Sequence, residues 1–247
     1  KHWWHESQRR LIRLLLPIED FNNEIASALD IGCGTGGNFS LLKEYCGNIV
    51  GVDYSPNAIE LYRVKHPSAN LVLGDANVIN VLFRGCTFDL ITILGVLYHK
   101  WIENDFAVLQ QSVELLADDG YLVISEPALP ILYRRHDQIV MGARRYLLSE
   151  MVNKIRLAGM ECVEATYFNS ICLIPALTIA MKDRVVGCFE KSKIRCSGEE
   201  SIEASMPGLQ LNSLMLKLFS LERSWLKFFH NRLPLGMQLM CVARKLK

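Results

Sequence analysis

The sequence lacks a strong net charge, a long apolar run and any paired-cysteine motif, and each absence excludes a class of protein. Its formal net charge is only +1 over 247 residues, so the overall charge does not indicate a nucleic-acid partner. The longest apolar stretch, 171–181, contains Pro175 and is shorter than the ~20 residues that a membrane-spanning helix needs. The eight cysteines form no C-x-x-C pair and no cluster with histidine, so neither a zinc site nor a disulfide framework is predicted.

The composition is that of an ordinary folded protein, with 50% hydrophobic and 21% charged residues. The length suffices for one α/β domain with a substantial core and an insertion. Cysteines scattered through predicted strands favour a reducing, cytoplasmic location. No signal peptide is visible, although Lys1 in place of methionine indicates that the N-terminus was trimmed or is missing.

One glycine-rich stretch, ALDIGCGTGGN at 28–38, organises the rest of the chain. An apolar run ends near Asp30, glycines follow at alternate positions, and a helix is predicted from 39 onward. Glycine permits positive φ and a close approach of the backbone to a ligand, so this turn predicts a ligand cradle. Gly32, Gly34 and Gly37 also match the dinucleotide fingerprint G-x-G-x-x-G, which leaves a nicotinamide-dependent oxidoreductase open as an alternative.

Acidic residues end the next two apolar runs as well: Asp53 in GVDYS at 51–55 and Asp75 in GDA at 74–76. With the D-x-G-x-G-x-G turn that begins at Asp30, they resemble the class I S-adenosylmethionine-dependent methyltransferases. The resemblance implies a Rossmann-like α/β fold, whose seven-stranded sheet is mostly parallel with an antiparallel last strand. It also implies S-adenosylmethionine as the cofactor.

The resemblance assigns each acidic residue to one part of the cofactor. Asp53 would accept hydrogen bonds from both ribose hydroxyls, because an ionised carboxylate only accepts and a diol offers two donors. Asp75 would accept from the adenine amino group, and the Ala76 N–H would cap a ring nitrogen. Asp30 and the amides of the glycine turn would face the amino acid end. The predicted cofactor-binding residues are Asp30, Gly32, Gly34, Gly36, Asp53, Tyr54, Asp75, Ala76 and Leu94.

The segment LGVLYH at 94–99 resembles the part of the family that flanks the transferring methyl group. His99 is the first candidate for a general base, because an ordinary histidine pKa near 6.5 suits proton transfer at neutral pH. The alternative is a histidine that only bonds the backbone or stacks at the adenine pocket. His136, next to Asp137, is the second candidate. The predicted substrate contacts are Trp4, Tyr98, Arg144 and Tyr146.

The segment GARRY at 142–146 resembles a subset of the family with His-x-Arg-Arg-Tyr, but the histidine expected near 143 is absent. Arg144 and Arg145 either bind an anionic acceptor or pair with acidic residues of the following helix. No cluster of His, Asp and Glu has metal-ligand spacing, so no metal is predicted.

The predicted elements alternate as a parallel sheet requires. Strands are expected at 28–31, 49–52, 71–73, 88–94, 120–125, 161–168 and 238–243, with helices at 3–16, 39–45, 55–64, 105–116, 149–158 and 211–229. Ser149 is the expected cap of the fifth helix. The plan is one methyltransferase domain with a lid helix in 1–24, a cofactor-binding core in 25–168, a helical insertion in 169–235 and the final strand in 236–247.

The predicted function is transfer of a methyl group to an oxygen, nitrogen or carbon of a small, rather apolar molecule, such as a natural product or a lipid or glycan precursor. Oxygen is favoured. A methyltransferase-like partner subunit and a non-methylating reaction with the same cofactor stay open. The amphipathic helix at 211–229 has four possible roles: packing, a homodimer face, a substrate lid or peripheral membrane contact.

Overall fold

A computed structural model of the chain describes residues 3–17, 19, 25–189, 209–228 and 232–246. Within them seven strands form one sheet in the order β3-β2-β1-β4-β5-β7-β6, in which β7 runs antiparallel to both neighbours. This confirms the predicted sheet. The strands are β1 (Ile25–Ile31), β2 (Cys46–Asp53), β3 (Asn70–Leu73), β4 (Phe88–Leu94), β5 (Leu116–Pro127), β6 (Met160–Phe168) and β7 (Gln238–Lys245).

Helices cover both faces of the sheet in the described part of the chain. They are α1 (Trp3–Leu15), α2 (Phe39–Leu42), α3 (Pro56–Lys65), α4 (Ile79–Leu82), α5 (Asp105–Leu115), α6 (Arg135–Ile139), α7 (Leu148–Leu157), α8 (Leu173–Phe189) and α9 (Leu209–Phe228). Apolar residues of α1, α2, α3 and α9 form the core on one face, and those of α4, α5, α7 and α8 form the core on the other.

The strand order reverses between β1 and β4, and in such sheets ligands bind at the carboxyl ends of the strands beside this point. The register places those ends level with one another, since Asp30 pairs with Gly51 and Asp53 pairs with Leu73. The three predicted aspartates therefore follow one edge of the sheet.

Helix boundaries differ from the prediction where local signals compete with strand pairing. α2 ends at Leu42 because β2 already begins at Cys46 to pair with Ile25. Ser149 does not cap α7, whose N-cap is Leu147. Ser55 does cap α3, with its Oγ accepting from the Ala58 N–H at 3.3 Å.

The insertion between β6 and β7 divides over the two faces of the sheet. Its first helix, α8, has no counterpart among the predicted helix ranges, and its Pro175 lies in the first turn, where proline is tolerated. The second helix, α9, confirms the predicted amphipathic helix, although Phe229 lies outside the described residues. None of the helices described here is long and apolar enough to cross a lipid bilayer.

Helix α9 packs against α1. The rings of Trp3 and Phe219 are stacked with centroids 4.9 Å apart, and the Trp3 backbone N–H donates to Asn212 Oδ1 at 2.9 Å. The outer side of α9 exposes Leu214, Leu221, Trp225 and Phe228.

Candidate functional site

Asp30, at the end of β1, is a buried carboxyl with one satisfied oxygen. Its Oδ1 accepts from the Thr92 hydroxyl at 2.7 Å, whereas Oδ2 has no partner among the described residues. Burial raises the pKa of Asp30 to about 7, and the nearby charge of Asp53 adds to the rise. A ligand with a positively charged donor would satisfy the open oxygen.

Asp53, at the end of β2, joins the glycine turn to the start of α3. Its Oδ2 accepts from the Gly34 N–H and its Oδ1 from the Ser55 N–H, both at 2.8 Å. A carboxylate has about four lone-pair sites. Both oxygens therefore keep the capacity to accept a further bond from a ligand.

Asp75 caps the short turn that follows β3. Its Oδ1 accepts from the Asn77 backbone N–H at 2.9 Å and from the Asn77 side chain at 2.8 Å. The Asn77 side chain also donates to the Trp101 carbonyl at 2.9 Å and accepts from the Glu103 N–H at 3.0 Å. These bonds tie the segment that follows β4 to Asp75, and Ala76 begins the short 3-10 turn beside it.

Two exposed aromatic rings lie near Asp53 and Asp75, since Tyr54 follows Asp53 in the chain and Trp101 is linked to Asp75 through Asn77. Tyr54 is 65% exposed and Trp101 is 40% exposed, and their rings are nearly parallel with centroids 6.4 Å apart. His99 stacks on Trp101 at 4.1 Å. Sequence reasoning missed Trp101; the signal was a tryptophan two positions after the predicted base.

The glycine turn has the predicted backbone conformation, with φ of +69° at Gly32, +53° at Gly34 and +81° at Gly36. A Cβ at Gly32 would lie 2.3 Å from the side chain of Val96, so the close approach there is to the protein itself. A Cβ at Gly34 would meet nothing within 4 Å. Open space for a ligand therefore lies beside Gly34.

The amides of these three glycines donate within the protein. Gly32 donates to the Val52 carbonyl at 2.8 Å and Gly36 to the Cys33 carbonyl at 3.1 Å, while Gly34 is bound to Asp53. These three N–H groups are therefore engaged inside the protein, and contact between the turn and a ligand stays a prediction. The glycines permit the tight turn rather than supply donors.

Helix α1 reaches this edge through two consecutive buried side chains. Gln8 Nε2 donates to the Ser125 hydroxyl at 3.0 Å, and Arg9 Nη1 donates to the Gly37 carbonyl at 2.7 Å. Trp4 belongs to the same helix, but its side chain lies outside what the structure describes.

Glu126, near the end of β5, is a site residue that the sequence analysis did not single out. Its buried carboxylate accepts from the backbone N–H groups of Val96 at 2.9 Å, Leu97 at 2.8 Å and Tyr98 at 3.3 Å. Burial raises its pKa to about 8 against the opposing effect of these donors. The signal was available, because Glu126 is an acidic residue at a strand end like the three aspartates.

Loop 95–98, which Glu126 holds, carries the predicted methyl-flanking residues. Leu94 ends β4 half-buried, and Gly95 has φ of +75°. The Tyr98 ring lies 3.9 Å from the position of a Cβ at Gly95. Burial raises the pKa of Tyr98, so its hydroxyl stays protonated at neutral pH.

His99 and His136 have different surroundings. Burial lowers the pKa of His99, and its Nδ1 is buried without a partner in the described structure. His136 is exposed on α6. Asp137 does not pair with it, because its carboxylate binds Arg145 at 2.8 Å and the Arg134 N–H at 3.0 Å.

The Arg-Arg-Tyr segment is bound to structural partners. Arg144 donates to the Ile102 carbonyl at 2.8 Å and lies 3.8 Å from Asp105. The buried hydroxyl of Tyr146 donates to Asp105 at 2.8 Å. The acidic partners of Arg144 and Arg145 are thus Asp105 and Asp137 rather than residues of α7.

Comparisons with known proteins show the family of the chain and proteins that share its fold. A family model described as a methyltransferase domain matches residues 3–164. The mitochondrial ubiquinone biosynthesis O-methyltransferase of Schizosaccharomyces pombe is 32% identical over 150 residues, which cover 54% of this chain and 54% of that protein. The chain spans about half the length of the curated relatives it matches.

Solved structures share the fold over nearly the whole chain. A SAM-dependent methyltransferase from Archaeoglobus fulgidus has a TM-score of 0.58 at 16% identity, covering 98% of this chain and 94% of that one. The N-methyltransferase NodS from Bradyrhizobium japonicum has a TM-score of 0.54 at 16% identity, covering 99% and 97%.

Proposed function

The chain belongs to the methyltransferase domain family, the class I enzymes that use S-adenosylmethionine, and from this premise we propose that it methylates a small, rather apolar molecule. The atom that receives the methyl group is oxygen, nitrogen or carbon, with oxygen as the first candidate. The relatives named above act on different atoms according to their names, so the preference for oxygen rests on His99.

The observation that carries the proposal is the row of Asp30, Asp53 and Asp75 at the ends of three adjacent strands. Neighbouring strands lie about 4.8 Å apart, so the row spans roughly 10 Å and suits an extended ligand. The open oxygen of Asp30 fits the ammonium of the methionine part, Asp53 fits the ribose diol, and Asp75 fits the adenine amino group. The residues present therefore fit S-adenosylmethionine.

Further support for an adenine site comes from the aromatic pair beside these acids. The exposed, nearly parallel rings of Tyr54 and Trp101 offer flat apolar surfaces next to Asp75. We assign both rings, with Ala76, to the adenine end, and Leu94 with the glycine turn to the methionine end.

The bound cofactor supplies a methyl group on a positively charged sulfur, and transfer needs an acceptor atom in line with that bond. Correct alignment can contribute about 7–11 kcal/mol. Glu126 serves this alignment by holding loop 95–98 through its backbone N–H groups. The loop lies against an apolar cluster that includes Leu97 and Leu129, with Tyr98 packed on it, which supports an apolar acceptor.

His99 would take the proton of an acceptor hydroxyl. Its lowered pKa keeps the imidazole neutral at pH 7, and its Nδ1 lacks a partner in the described residues. The stack on Trp101 supports the alternative role, a wall of the adenine pocket. His99→Asn separates the two: a base role leaves cofactor affinity within about threefold while transfer falls ~10²–10⁴-fold, whereas a wall role weakens cofactor binding.

Four further assignments belong to the same proposal. Helix α1 acts as the lid, since Gln8 and Arg9 reach across the edge of the sheet. His136, on its exposed helix, and Arg144 are secondary candidates for contact with the methyl acceptor. Tyr146 is a positioning residue, because its buried hydroxyl binds Asp105, which also pairs with Arg144. The exposed apolar row on α9 supports a dimer or membrane contact.

Calorimetric titration with S-adenosylmethionine and its demethylated product tests the proposal. We expect dissociation constants on the order of 1 µM and loss of at least ~100-fold in Asp53→Ala, because each removed charge-assisted bond is worth about 1.5–3 kcal/mol. Glu60→Gln, on the exposed side of α3, is the control. Binding of NADH in place of the sulfonium compound would contradict the proposal.

A further inference from the structure

A small cavity, open to solvent on one side, lies between α1, α9 and the end of β6, and none of the predicted cofactor-binding residues lines it. Its volume of about 30 Å³ has room for one or two groups of the size of water. Its walls are apolar, formed by Leu11, Phe168, Phe219 and Leu226. Its polar lining includes Ser7, Asn169 and Glu222.

These three polar residues carry buried atoms without hydrogen-bond partners in the described structure. Asn169 is fully buried, and neither its Oδ1 nor its Nδ2 has a partner. Glu222 is 3% exposed; its Oε1 accepts from the Ser170 N–H at 3.1 Å, but its Oε2 has no partner. The Ser7 hydroxyl is likewise unpaired. Each such group costs about 1–3 kcal/mol, which a ligand would recover.

The carboxylate of Glu222 also lacks a counterion. No described lysine, arginine or histidine lies within ion-pair distance of it, and the lining residue Arg10 is paired with Glu6 at 3.2 Å. Burial raises the pKa of Glu222, as expected for a carboxyl without a cation. The lining cation Arg10 is thus neutralised by Glu6, and Glu222 is a lining acid that keeps no cation of its own among the described residues.

The unpaired acceptors match one chemical group. Glu222 Oε2, Asn169 Oδ1 and the Ser7 hydroxyl are three acceptors, and a primary ammonium has three N–H donors. We propose that the cavity binds the primary ammonium group of a molecule with an apolar chain. Resting on the proposed function, we assign this molecule as the methyl acceptor. The Asn169 amide nitrogen is then left to donate to an oxygen next to the ammonium.

The ammonium would anchor the acceptor rather than receive the methyl group, because a protonated amine has no lone pair. β6 runs parallel to β4 and lies three strand spacings from it, so the anchor lies roughly 14 Å along the edge from the end of β4. The consecutive residues Ser7, Gln8 and Arg9 of α1 connect the cavity, β5 and the glycine turn.

Titration with short four-carbon probes tests the site. We expect n-butylamine to bind with a dissociation constant on the order of 1 mM, n-butanol at least ~10-fold more weakly, and butyrate not at all. Glu222→Gln should weaken n-butylamine at least ~10-fold, while its amide oxygen still accepts from Ser170. Glu60→Gln should leave the affinity unchanged. Equal binding of n-butylamine to Glu222→Gln, or of n-butanol to the wild type, would overturn the proposal.

Two measurements on the same proteins separate this proposal from the cofactor assignment. Titration with the demethylated cofactor should give the same affinity in Glu222→Gln and wild type; absence of binding to both sinks the proposed function alone. Labelled methyl transfer to small molecules of a cell extract should fall as n-butylamine is added to the wild type, but not with butyrate. If n-butylamine binds but does not lower methyl transfer, the ligand of the cavity is not the methyl acceptor, and that assignment is overturned.

Discussion

At the residue scale, the buried acids at the carboxyl ends of the strands differ in what they bind. Asp30 and Glu126 are both buried and both end strands, yet they have different partners. The Glu126 carboxyl accepts hydrogen bonds from backbone N–H groups of loop 95–98, whereas one oxygen of Asp30 has no partner in the described structure. The first residue therefore positions the loop, and the second keeps a buried acceptor that the proposed cofactor ammonium would satisfy.

Glu126→Gln tests the positioning role. The amide nitrogen of glutamine would face backbone N–H donors, so at least one hydrogen bond is lost and a donor faces a donor. We expect the free energy of unfolding to fall by about 1–3 kcal/mol and cofactor affinity to fall about 10-fold, measured by urea denaturation and calorimetry. Glu114→Gln, whose carboxylate binds Asn80 on the surface, is the matched control. Identical behaviour of the two variants would refute the role.

Asp30→Asn should raise the stability of the fold at high pH and at the same time weaken cofactor binding. The folded pKa of about 7 exceeds the ordinary value of 3.8, so the folded state holds a proton that the unfolded chain has released. The stability that this group contributes is complete below pH ~4 and is lost as pH rises through ~7. The asparagine variant should therefore raise Tm at pH 8 by several degrees, since about 1 kcal/mol corresponds to ~2–4 °C, with no gain at pH 4.

The same substitution should weaken cofactor binding, because it removes the charge that would face the ammonium. Thermal melts from pH 4 to 8 and calorimetry at pH 7.5 measure both effects. A melting profile parallel to that of the wild type would show that Asp30 titrates normally in the folded protein.

At the scale of elements, the insertion packs on α1, the helix that we propose as the lid. α9 lies along α1, with Phe219 against Trp3, while α8 packs on the opposite face of the sheet. Amphipathic spacing predicted α9 but not which side of it would be covered. The buried side carries Phe219, Glu222 and Leu226, and the exposed side is also apolar.

Phe219→Ala should loosen α1. The phenylalanine is 7% exposed, and truncation of a buried phenylalanine costs about 3–5 kcal/mol. We expect faster hydrogen exchange across 3–15 and weaker cofactor binding. Leu221→Ala, at a 57% exposed position of the same helix, should change stability by less than ~0.5 kcal/mol. If hydrogen exchange of α1 is unchanged in Phe219→Ala, α9 does not stabilise α1.

At the scale of the whole molecule, one sheet carries both cores and the candidate site, so a ligand at its edge stabilises the entire fold. At 100 times the dissociation constant, a ligand adds about 2.7 kcal/mol. We expect the demethylated cofactor at that concentration to raise Tm by ~5–10 °C, and NADH to leave it unchanged. Asp53→Ala should abolish the shift. A rise with NADH alone would favour the oxidoreductase alternative.

The strand ends were predictable because their signals are local. An apolar run that ends in an acidic residue marks Asp30, Asp53 and Asp75, and alternating glycines mark the turn between the first of these runs and the next helix. β4 was predicted with its observed bounds, 88–94, because its apolar run is also a local signal. Glu126 has the same signal, and the sequence analysis did not single it out.

Most contacts of the site and cavity residues were not predictable, because they join different elements of the chain. Asn169 and Glu222 are 53 positions apart, and Ser7 meets them only when α1 and α9 pack on one face. The arginines of 144–145 bind acids in other segments, and the glycine amides bind carbonyl and carboxylate oxygens inside the protein.

The sequence by itself determined the sheet, the row of acidic residues at its edge and the family, because periodicity and strand-end residues act over a few neighbouring positions. Only the tertiary structure decided which carboxylates are left unpaired. Burial and pairing depend on what packs against a group, and the elements that bury Asp30, Glu126 and Glu222 include segments far from them in the chain.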